Sequence, residues 1–409
     1  MTVSRWERAR FVGLCYVMVV VTVPLGLWLI RAEALVGWIF GGRDYVLNLS
    51  AAVVVCLLAA GTVLWRGGDL PLRWVTVGAV AVAVAAAWGA VGLVHHGLAQ
   101  TVTGLRLILV PVAMIVLVAA LDGPAVRRLI TVLAWLVVAN AVAGLAEIAV
   151  GPARLVQIGF SEDRNVRYID GVFRVPGLTE FNAELGMLAG AYLLGYAASW
   201  LTPGARPRQR SWHAGALAAA ACLAMSTSRS GALLVVGGVL GAVVLQRSHK
   251  RARRLLSVVL AGGLVLAVAG AFAVLGASGT SSLFERFRVW GSLLGGVPLL
   301  GHGIGSAGAA TYSRVATSAP VFVDNYFINV GLQFGPIVMV LLIGAVAGAL
   351  VRLARGSGQH PTWVMPIAIV AGLACASLVI DSWEFAAAML ALILFCAHGL
   401  RPSRERALR

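Results

Sequence analysis

The chain has 409 residues, of which 60% are hydrophobic and only 12% are charged, and its formal net charge is +16. In a typical soluble globular domain, about a quarter of the residues are charged, so the composition excludes a soluble globular protein. Basic residues in so apolar a chain report membrane topology, and we expect no nucleic-acid partner. The five cysteines lie in apolar runs without the spacing of metal ligands, so we expect no metal and no cofactor.

Apolar runs divide the chain into candidate membrane spans, each of roughly twenty residues. They lie near residues 11–30, 46–65, 74–94, 101–121, 127–149, 180–201, 213–227, 231–246, 255–276, 322–350, 363–380 and 384–400. The sequence therefore predicts an all-α polytopic membrane protein with about 12 transmembrane helices, in a single integral-membrane domain over residues 1–409. The first run is long enough to span the bilayer and no small-residue cleavage site follows it, so we expect a retained first helix.

The topology depends on the seventh and eighth spans, which are short and can also be read as one long broken span. With twelve spans, 21 of the 32 basic residues but only 4 of the 16 acidic residues lie on the side that holds both termini. Merging the two spans would move the basic segment 247–254 to the other side. The positive-inside rule therefore favours twelve spans with both termini cytoplasmic. Outer loops 151–179 and 277–321 then form the cap of a candidate active site, and the second is a large loop between helices 9 and 10.

The first outer loop ends in a polar segment at the start of the sixth span. Arg174 precedes Pro176-Gly177, which is a turn signal. Glu180, Asn182 and Glu184 follow. These residues either cap the N-terminus of a helix, or Arg174 lines a cavity that opens outward together with Glu180 or Asn182.

A second polar segment, Ser226-Thr-Ser-Arg-Ser230, separates the two short spans. A guanidinium offers several donors in a fork that suits phosphate, and the hydroxyl groups of this segment surround Arg229. If the eighth span begins here, its first amides add donors for an anion. Alternatively, Arg229 reaches the membrane interface and the serines cap helices. We favour an anion site.

A third segment, residues 282–294, has the pattern of a helix lying in the membrane interface. Arg286 and Arg288 flank its apolar arc, where they either reach lipid headgroups or bind a lipid diphosphate. The Gly301-His302-Gly303 segment follows no strand, so it is a weak match to a nucleotide-binding loop. We expect a tight turn there.

The fourth segment is Asp324-Asn325-Tyr326, at the mouth of the tenth span. Asp324 is either a helix N-cap or a base that orients an acceptor hydroxyl. Asp381 and Glu384 lie in the last outer turn, which we interpret mainly as a short capped turn. The sequence has no Asp-x-Asp, no His-x-x-x-His and no phosphate-binding Walker loop, so metal-assisted sugar-nucleotide chemistry and ATP hydrolysis are disfavoured.

Four motifs occur in order: Arg174-x-Pro-Gly with Asn182, Thr-Ser-Arg229-Ser-Gly, Arg288-x-Trp with Pro-Leu-Leu-Gly-x-Gly-x-Gly305, and Asp324-Asn-Tyr with Gly335. With the twelve-span plan, this order resembles the O-antigen ligase and polymerase superfamily. Its members are metal-independent, GT-C-like glycosyltransferases in the bacterial cytoplasmic membrane. They transfer a glycan from undecaprenyl diphosphate to an acceptor at the outer face.

The resemblance implies a role for each candidate residue. It places Arg229 and Arg288, with Arg174, on the donor diphosphate, and Asp324 as the base. Arg286, which flanks the apolar arc of residues 282–294, is a further candidate for the diphosphate. Because the ligases usually have a histidine where this chain has Asp324, a polymerase is favoured over a ligase. The acceptor cavity would be formed by Glu180, Asn182, Asn325, Tyr326 and His302. The partners implied are an undecaprenyl-diphosphate-linked glycan donor, a glycan or lipid-glycan acceptor, and membrane lipids.

Two other functions are compatible with the composition. One is a transporter or flippase for a lipid-linked or anionic solute, but transporters place their charges near the bilayer midplane, whereas these candidates lie at one boundary. The other is a peptidoglycan glycosyltransferase of the shape-and-division type, which has fewer spans and different motifs.

Overall fold

A computed structural model describes residues 53, 55–61, 72–158, 160, 166–169, 171–179, 181–245, 289–312, 316, 321 and 323–401. The structure is mostly helical (79%). The helices in chain order are α1 (Leu72–Ala120), α2 (Gly123–Val150), α3 (Pro152–Gln157), α4 (Asn182–Leu201), α5 (Arg210–Ser226), α6 (Arg229–Leu245), α7 (Tyr326–Phe334), α8 (Pro336–Gly356), α9 (Val364–Ser377) and α10 (Ala386–Leu400). Residues 55–61 and 289–294 are also helical.

Three helical stretches are long and apolar enough to cross a membrane, namely Val82–Ala119, Gly123–Val150 and Pro336–Gly356. Shorter apolar helices cover Arg229–Leu245, Pro361–Ser377 and Ala386–Leu400. These lengths and compositions indicate a membrane protein. The predicted spans near 11–30 and 255–276, and residues 277–288 of the predicted outer loop, lie outside the described residues.

Helix α1 contains two arms that meet at Gly97, whose backbone angles (φ 74°, ψ 172°) are not helical. Glycine tolerates this conformation because it has no Cβ. Gly89 in the first arm lies against Leu105 in the second, so the chain reverses direction at Gly97. The two arms match the predicted spans near 74–94 and 101–121.

Helix α4 lies at the centre of the bundle, between α5 and α6. Asn182 contacts Ser226 and Tyr192 contacts Trp212, so α4 and α5 are antiparallel. Gly186 lies beside Ser228, and the side chain of Leu194 lies beside Gly238, so α4 and α6 are parallel. Consequently α5 and α6 run in opposite directions, and residues 210–245 form a helical hairpin rather than one long broken helix.

The contacts define two ends of the bundle. At the first, here called the site end, α4, α6 and α10 begin, and α2, α5 and α9 end. The ring centroids of Phe181 and Phe385 are 6.0 Å apart there, which places the starts of α4 and α10 side by side. The other end, here called the opposite end, contains the loop between α4 and α5 and the last residue of α10.

Two features differ from the sequence predictions. The span predicted near 322–350 is wrong as a single helix, because the chain breaks between α7 and α8. Gly335 has φ 94° there, and Pro336 begins the next helix, where a missing N–H has no cost. The prediction of an all-α fold is also incomplete, because the segment predicted as the outer loop 151–179 has some β-structure. It contains the antiparallel strands β1 (Arg167–Ile169) and β2 (Val172–Arg174).

Candidate functional site

Arg174 is the last residue of β2, and its guanidinium joins the hairpin to the junction of α5 and α6. Its Nε donates a hydrogen bond to Thr227 Oγ1 (2.9 Å) and its Nη2 contacts Thr227 O at 3.4 Å. The backbone N–H of Val175 also donates to Met225 O (3.2 Å). These bonds satisfy carbonyls that the end of α5 leaves without a helical partner.

Two buried side chains of α2 hold the turn that follows Arg174. Glu147 Oε2 accepts a hydrogen bond from the N–H of Gly177 (3.0 Å), and Asn140 Oδ1 accepts one from Leu178 (3.0 Å). Only 6% of Glu147 and 2% of Asn140 is exposed. Polar groups this deep in an apolar helix are costly unless they are satisfied, so their role here is to fix the Arg174 segment.

The junction itself is a tight reversal. Thr227 has a left-handed backbone conformation (φ 47°), which is uncommon for a β-branched residue. Ser228 then caps α6, because its Oγ accepts from the N–H of Gly231 (3.3 Å) and its carbonyl accepts from Ala232 (3.2 Å). Arg229 follows as the first residue of α6 and is exposed. Its guanidinium therefore lies beside the positive end of a helix, which favours anions.

Positive charge is concentrated around Arg174. Arg167 lies directly opposite it in the β-hairpin, an arrangement of like charges that destabilises a strand pair. Burial, together with the charges of Arg167 and Arg229, lowers the pKa of the Arg174 guanidinium to about 10. The guanidinium nevertheless stays protonated at neutral pH.

Asn182 belongs to the same region, but its amide has a structural partner. Its side chain is 2% exposed, and Nδ2 donates to Ser226 O (3.2 Å). The structure thus brings together three predicted residues, Arg174, Asn182 and Arg229. Arg286, Arg288 and Glu180 lie outside the described residues.

The Asp324 segment lies at the same end of the bundle. Asn325 is the N-cap of α7, because its Oδ1 accepts from Phe327 and Ile328 (3.0 and 3.2 Å). Its Nδ2 contacts Leu378 O at 3.3 Å, next to the end of α9. Asp324 is half-buried and precedes the cap, so the alternative that Asp324 is the N-cap is wrong. Tyr326 is half-buried at the first position of α7.

Glu384 faces this segment from the loop between α9 and α10. Its Oε2 accepts from the N–H of Ala309 (2.9 Å) and its Oε1 from Asn329 Nδ2 (3.2 Å). Asn329 in turn contacts Gln333, whose Oε1 accepts from the N–H of Gly305 (2.9 Å). The chain of hydrogen bonds therefore fixes the glycine-rich segment 301–312 against α7.

The carboxyls of Asp324, Asp381 and Glu384 form a cluster, here called the carboxyl cluster, in which the charges of Asp324 and Glu384 disfavour ionisation of Asp381. Burial raises the pKa of Asp381 well above its usual range, and the carboxyls of Glu384 and Asp324 act in the same direction. Burial also raises the pKa of Glu384 to about 7, although its hydrogen bonds and the charge of Arg106 oppose the shift. A carboxyl that titrates near neutral pH can accept and release a proton. Perturbed groups of this kind are common at functional sites.

Sequence reasoning missed Glu384 because it treated Asp381–Glu384 as a capped turn. A signal was present in α7, where Asn325, Asn329 and Gln333 recur every four residues in an apolar segment and therefore lie on one face. That polar face requires a polar partner.

His302 lies in the glycine-rich segment, with its ring exposed. Its backbone N–H donates to Leu332 O (2.8 Å), and its carbonyl contacts His96 Nε2 at 3.1 Å. In the part of the chain that the structure describes, no three His, Cys, Asp or Glu side chains are grouped so as to hold a metal ion.

No model of a known protein family matches the chain, and no curated protein sequence matches it.

Proposed function

We propose that this protein is a metal-independent glycosyltransferase of the bacterial cytoplasmic membrane. It transfers a glycan from undecaprenyl diphosphate to a sugar hydroxyl at the outer face, and we favour a polysaccharide polymerase over a ligase. The observation that supports this most is that a group of arginines and a group of carboxyls lie at the same end of the bundle. Arg174 and Arg229 offer cationic donors beside a capped helix start, and the carboxyls of Asp324, Asp381 and Glu384 lie at the same end.

The proposal includes the full topology of about 12 transmembrane helices, with both termini cytoplasmic and the large loop between helices 9 and 10 outside. Among the described side chains, the opposite end has eight arginines and one acid, Asp122, whereas the site end has five arginines and five acids. The positive-inside rule then assigns the opposite end to the cytoplasm. A donor and an acceptor would both reach the site from outside.

The arginines would act on the leaving group. Attack by the acceptor oxygen forms a bond to the anomeric carbon, and the bond between that carbon and the phosphate oxygen breaks. Its electron pair leaves with undecaprenyl diphosphate, whose negative charge grows in the transition state. Fixed donors placed where charge develops usually give the largest catalytic contribution. We assign this role to Arg229 and Arg174, with Arg286 and Arg288 as further donors.

Asp324 would accept the proton of the acceptor hydroxyl. It is half-buried at the mouth of α7 and next to the carboxyl cluster, which favours a proton acceptor. Glu180, Asn182, Asn325, Tyr326 and His302 would contribute to the acceptor cavity. Asn182 and Asn325 would do so by fixing the backbone, since their amides bind carbonyls of neighbouring helices.

The test is mass spectrometry of the undecaprenyl-linked glycans in cells that lack the gene. Single repeat units should accumulate on the outer leaflet if the protein is a polymerase, whereas long lipid-linked chains would indicate a ligase.

Complementation with wild type should restore the pool, and Arg229→Ala should lower transfer roughly a hundredfold or more. Arg229→Lys should retain part of the activity. An unchanged pool in the deletion strain would contradict both enzymes and favour the transporter.

A further inference from the structure

A cavity of about 560 Å³ lies at the opposite end of the bundle, remote from the proposed active site. Its wall is formed by the end of α4 and the loop that leads to α5. The lining residues include Trp200, Leu201, Pro203, Arg206 and Arg208. This volume is within the range of small-molecule sites, and the wall combines apolar surface with two guanidinium groups.

Contacts to two helices and one bond within the loop fix the loop that forms this wall. Ala205 O contacts His398 Nε2 of α10 at 3.1 Å, and the N–H of Ala205 donates back to Thr202 O (3.2 Å). Gln209 accepts a hydrogen bond from Thr131 of α2. Pro203 restricts the backbone further. The cavity is therefore preformed, which lowers the entropic cost of binding a ligand.

The charged residues that line the cavity in the described part of the chain are both arginines. Arg206 and Arg208 are exposed in its wall, and the segment 199–215 contains no acidic residue. Arg127 lies one helical turn before Thr131, which binds the loop, and so adds a further cation on the α2 side. A ligand of this cavity is therefore an anion.

The apolar part of the wall indicates what that anion is attached to. The indole of Trp200 is 47% exposed at the end of an apolar helix, the level at which tryptophan side chains meet lipid headgroups. Leu201 and Pro203 extend this surface. Basic pockets between membrane helices bind the headgroups of anionic lipids, because guanidinium pairs with phosphate while the glycerol and first methylenes contact apolar surface.

We propose that the cavity walled by residues 200–208 binds the phosphodiester headgroup of an anionic phospholipid. The lipid would lie in the leaflet that borders the opposite end. It would tie the α4–α5 loop to the membrane and hold the α4–α5–α6 unit in place. This proposal does not rest on the glycosyltransferase function.

The test uses native mass spectrometry of the full-length protein in detergent micelles that contain phosphatidylglycerol and phosphatidylcholine in equal parts. Wild type should retain phosphatidylglycerol in preference to phosphatidylcholine. Arg206→Gln with Arg208→Gln should weaken phosphatidylglycerol retention roughly 25-fold, because each arginine contributes about fivefold. Arg206→Lys with Arg208→Lys should keep most of it, which also controls for misfolding of the first variant.

The matched control is Arg352→Gln with Arg355→Gln, which removes two arginines at the same end but outside the cavity. This variant should retain phosphatidylglycerol as wild type does. If both glutamine variants lost phosphatidylglycerol equally, the retention would reflect the overall charge of this end, and the proposal of a lipid site in the cavity would be wrong. Displacement of the lipid by an equal concentration of inorganic phosphate would make the ligand a free phosphate and would overturn the lipid assignment.

Discussion

Glu384 shows how one side chain can couple the site to pH. Its two oxygens face two donors, the N–H of Ala309 and the amide of Asn329, which favour the ionised form. Burial favours the neutral form and dominates, so the pKa rises to about 7. The ordinary pKa of a glutamate is about 4.5. Between that pH and pH 7, the carboxyl of Glu384 is therefore protonated in the native protein but ionised in the unfolded chain.

We expect Glu384→Gln to change the pH dependence of stability. The wild-type carboxyl contributes stability that is fully present at low pH and is lost as pH rises through about 7, because a buried charge then replaces a neutral group. Glutamine has no such step. Between pH 5 and 8, the advantage of wild type over the variant should therefore shrink by roughly 2–3 kcal/mol. Thermal unfolding in detergent, followed by tryptophan fluorescence, measures it.

Asp122→Asn is the matched control, because it removes one negative charge at the opposite end and keeps a good helix cap. It should leave the slope of unfolding temperature against pH as in wild type. If Glu384→Gln also left that slope unchanged, the titration of Glu384 would not be linked to folding.

At the scale of single residues, the sequence predicted which segments are polar but not which atoms face each other. Arg174 and Arg229 were both predicted, yet their proximity depends on the reversal at Thr227, which is set by tertiary contacts. The alternative that made Asp324 the cap named the wrong neighbour, since Asp324 and Asn325 are both good cap residues. The acid Glu384 was missed because its partner Ala309 is distant in the chain.

Packing between helices α4 and α6 provides a test at the scale of elements. Gly190 lies against Gly231, and a Cβ at position 190 would be 2.5 Å from Gly231 O. This contact involves backbone, which cannot rotate away, so small residues are required where the helices cross. We expect Gly190→Ala to destabilise the protein by roughly 1–3 kcal/mol and to displace Arg229, which begins α6.

Helix α8 offers the control, because Gly344 and Gly348 repeat the spacing of Gly186 and Gly190. Around Gly344 no atom of the described chain lies within 4 Å of an added Cβ. Gly344→Ala should therefore leave the unfolding temperature unchanged or slightly raised, since alanine is the better helix former. Equal destabilisation by Gly190→Ala and Gly344→Ala would show that the packing of α4 on α6 is not specific.

Helices α4 and α8 show what a sequence can predict about secondary-structure elements. Apolar length identifies both as helices, and that prediction is confirmed for the residues described. It does not distinguish a helix packed on all sides, such as α4, from α8, which has no fully buried residue. The break at Gly335-Pro336 was missed because the apolar run continues across it, although Pro336 was a visible signal.

At the scale of the whole molecule, the two ends differ in charge, and this difference predicts an orientation. Among the described side chains, the arginines at the opposite end are Arg127, Arg128, Arg206, Arg208, Arg210, Arg352, Arg355 and Arg401. Short loops rich in arginine remain in the cytoplasm during membrane insertion. The side chains described at the site end are balanced in charge, as expected of an outer surface, so the proposed active site should face outward.

We expect cysteine labelling in intact cells to detect this orientation. In a variant whose five native cysteines are replaced by serine, His302→Cys places a thiol on an exposed position at the site end. Gly358→Cys places one at the opposite end, where an added side chain meets open space. A membrane-impermeant thiol reagent should label His302→Cys in intact cells and Gly358→Cys only after permeabilisation. If the reagent labelled only Gly358→Cys in intact cells, the topology would be the inverse of the one proposed. A donor exposed on the outer leaflet could not then reach the arginines of the site.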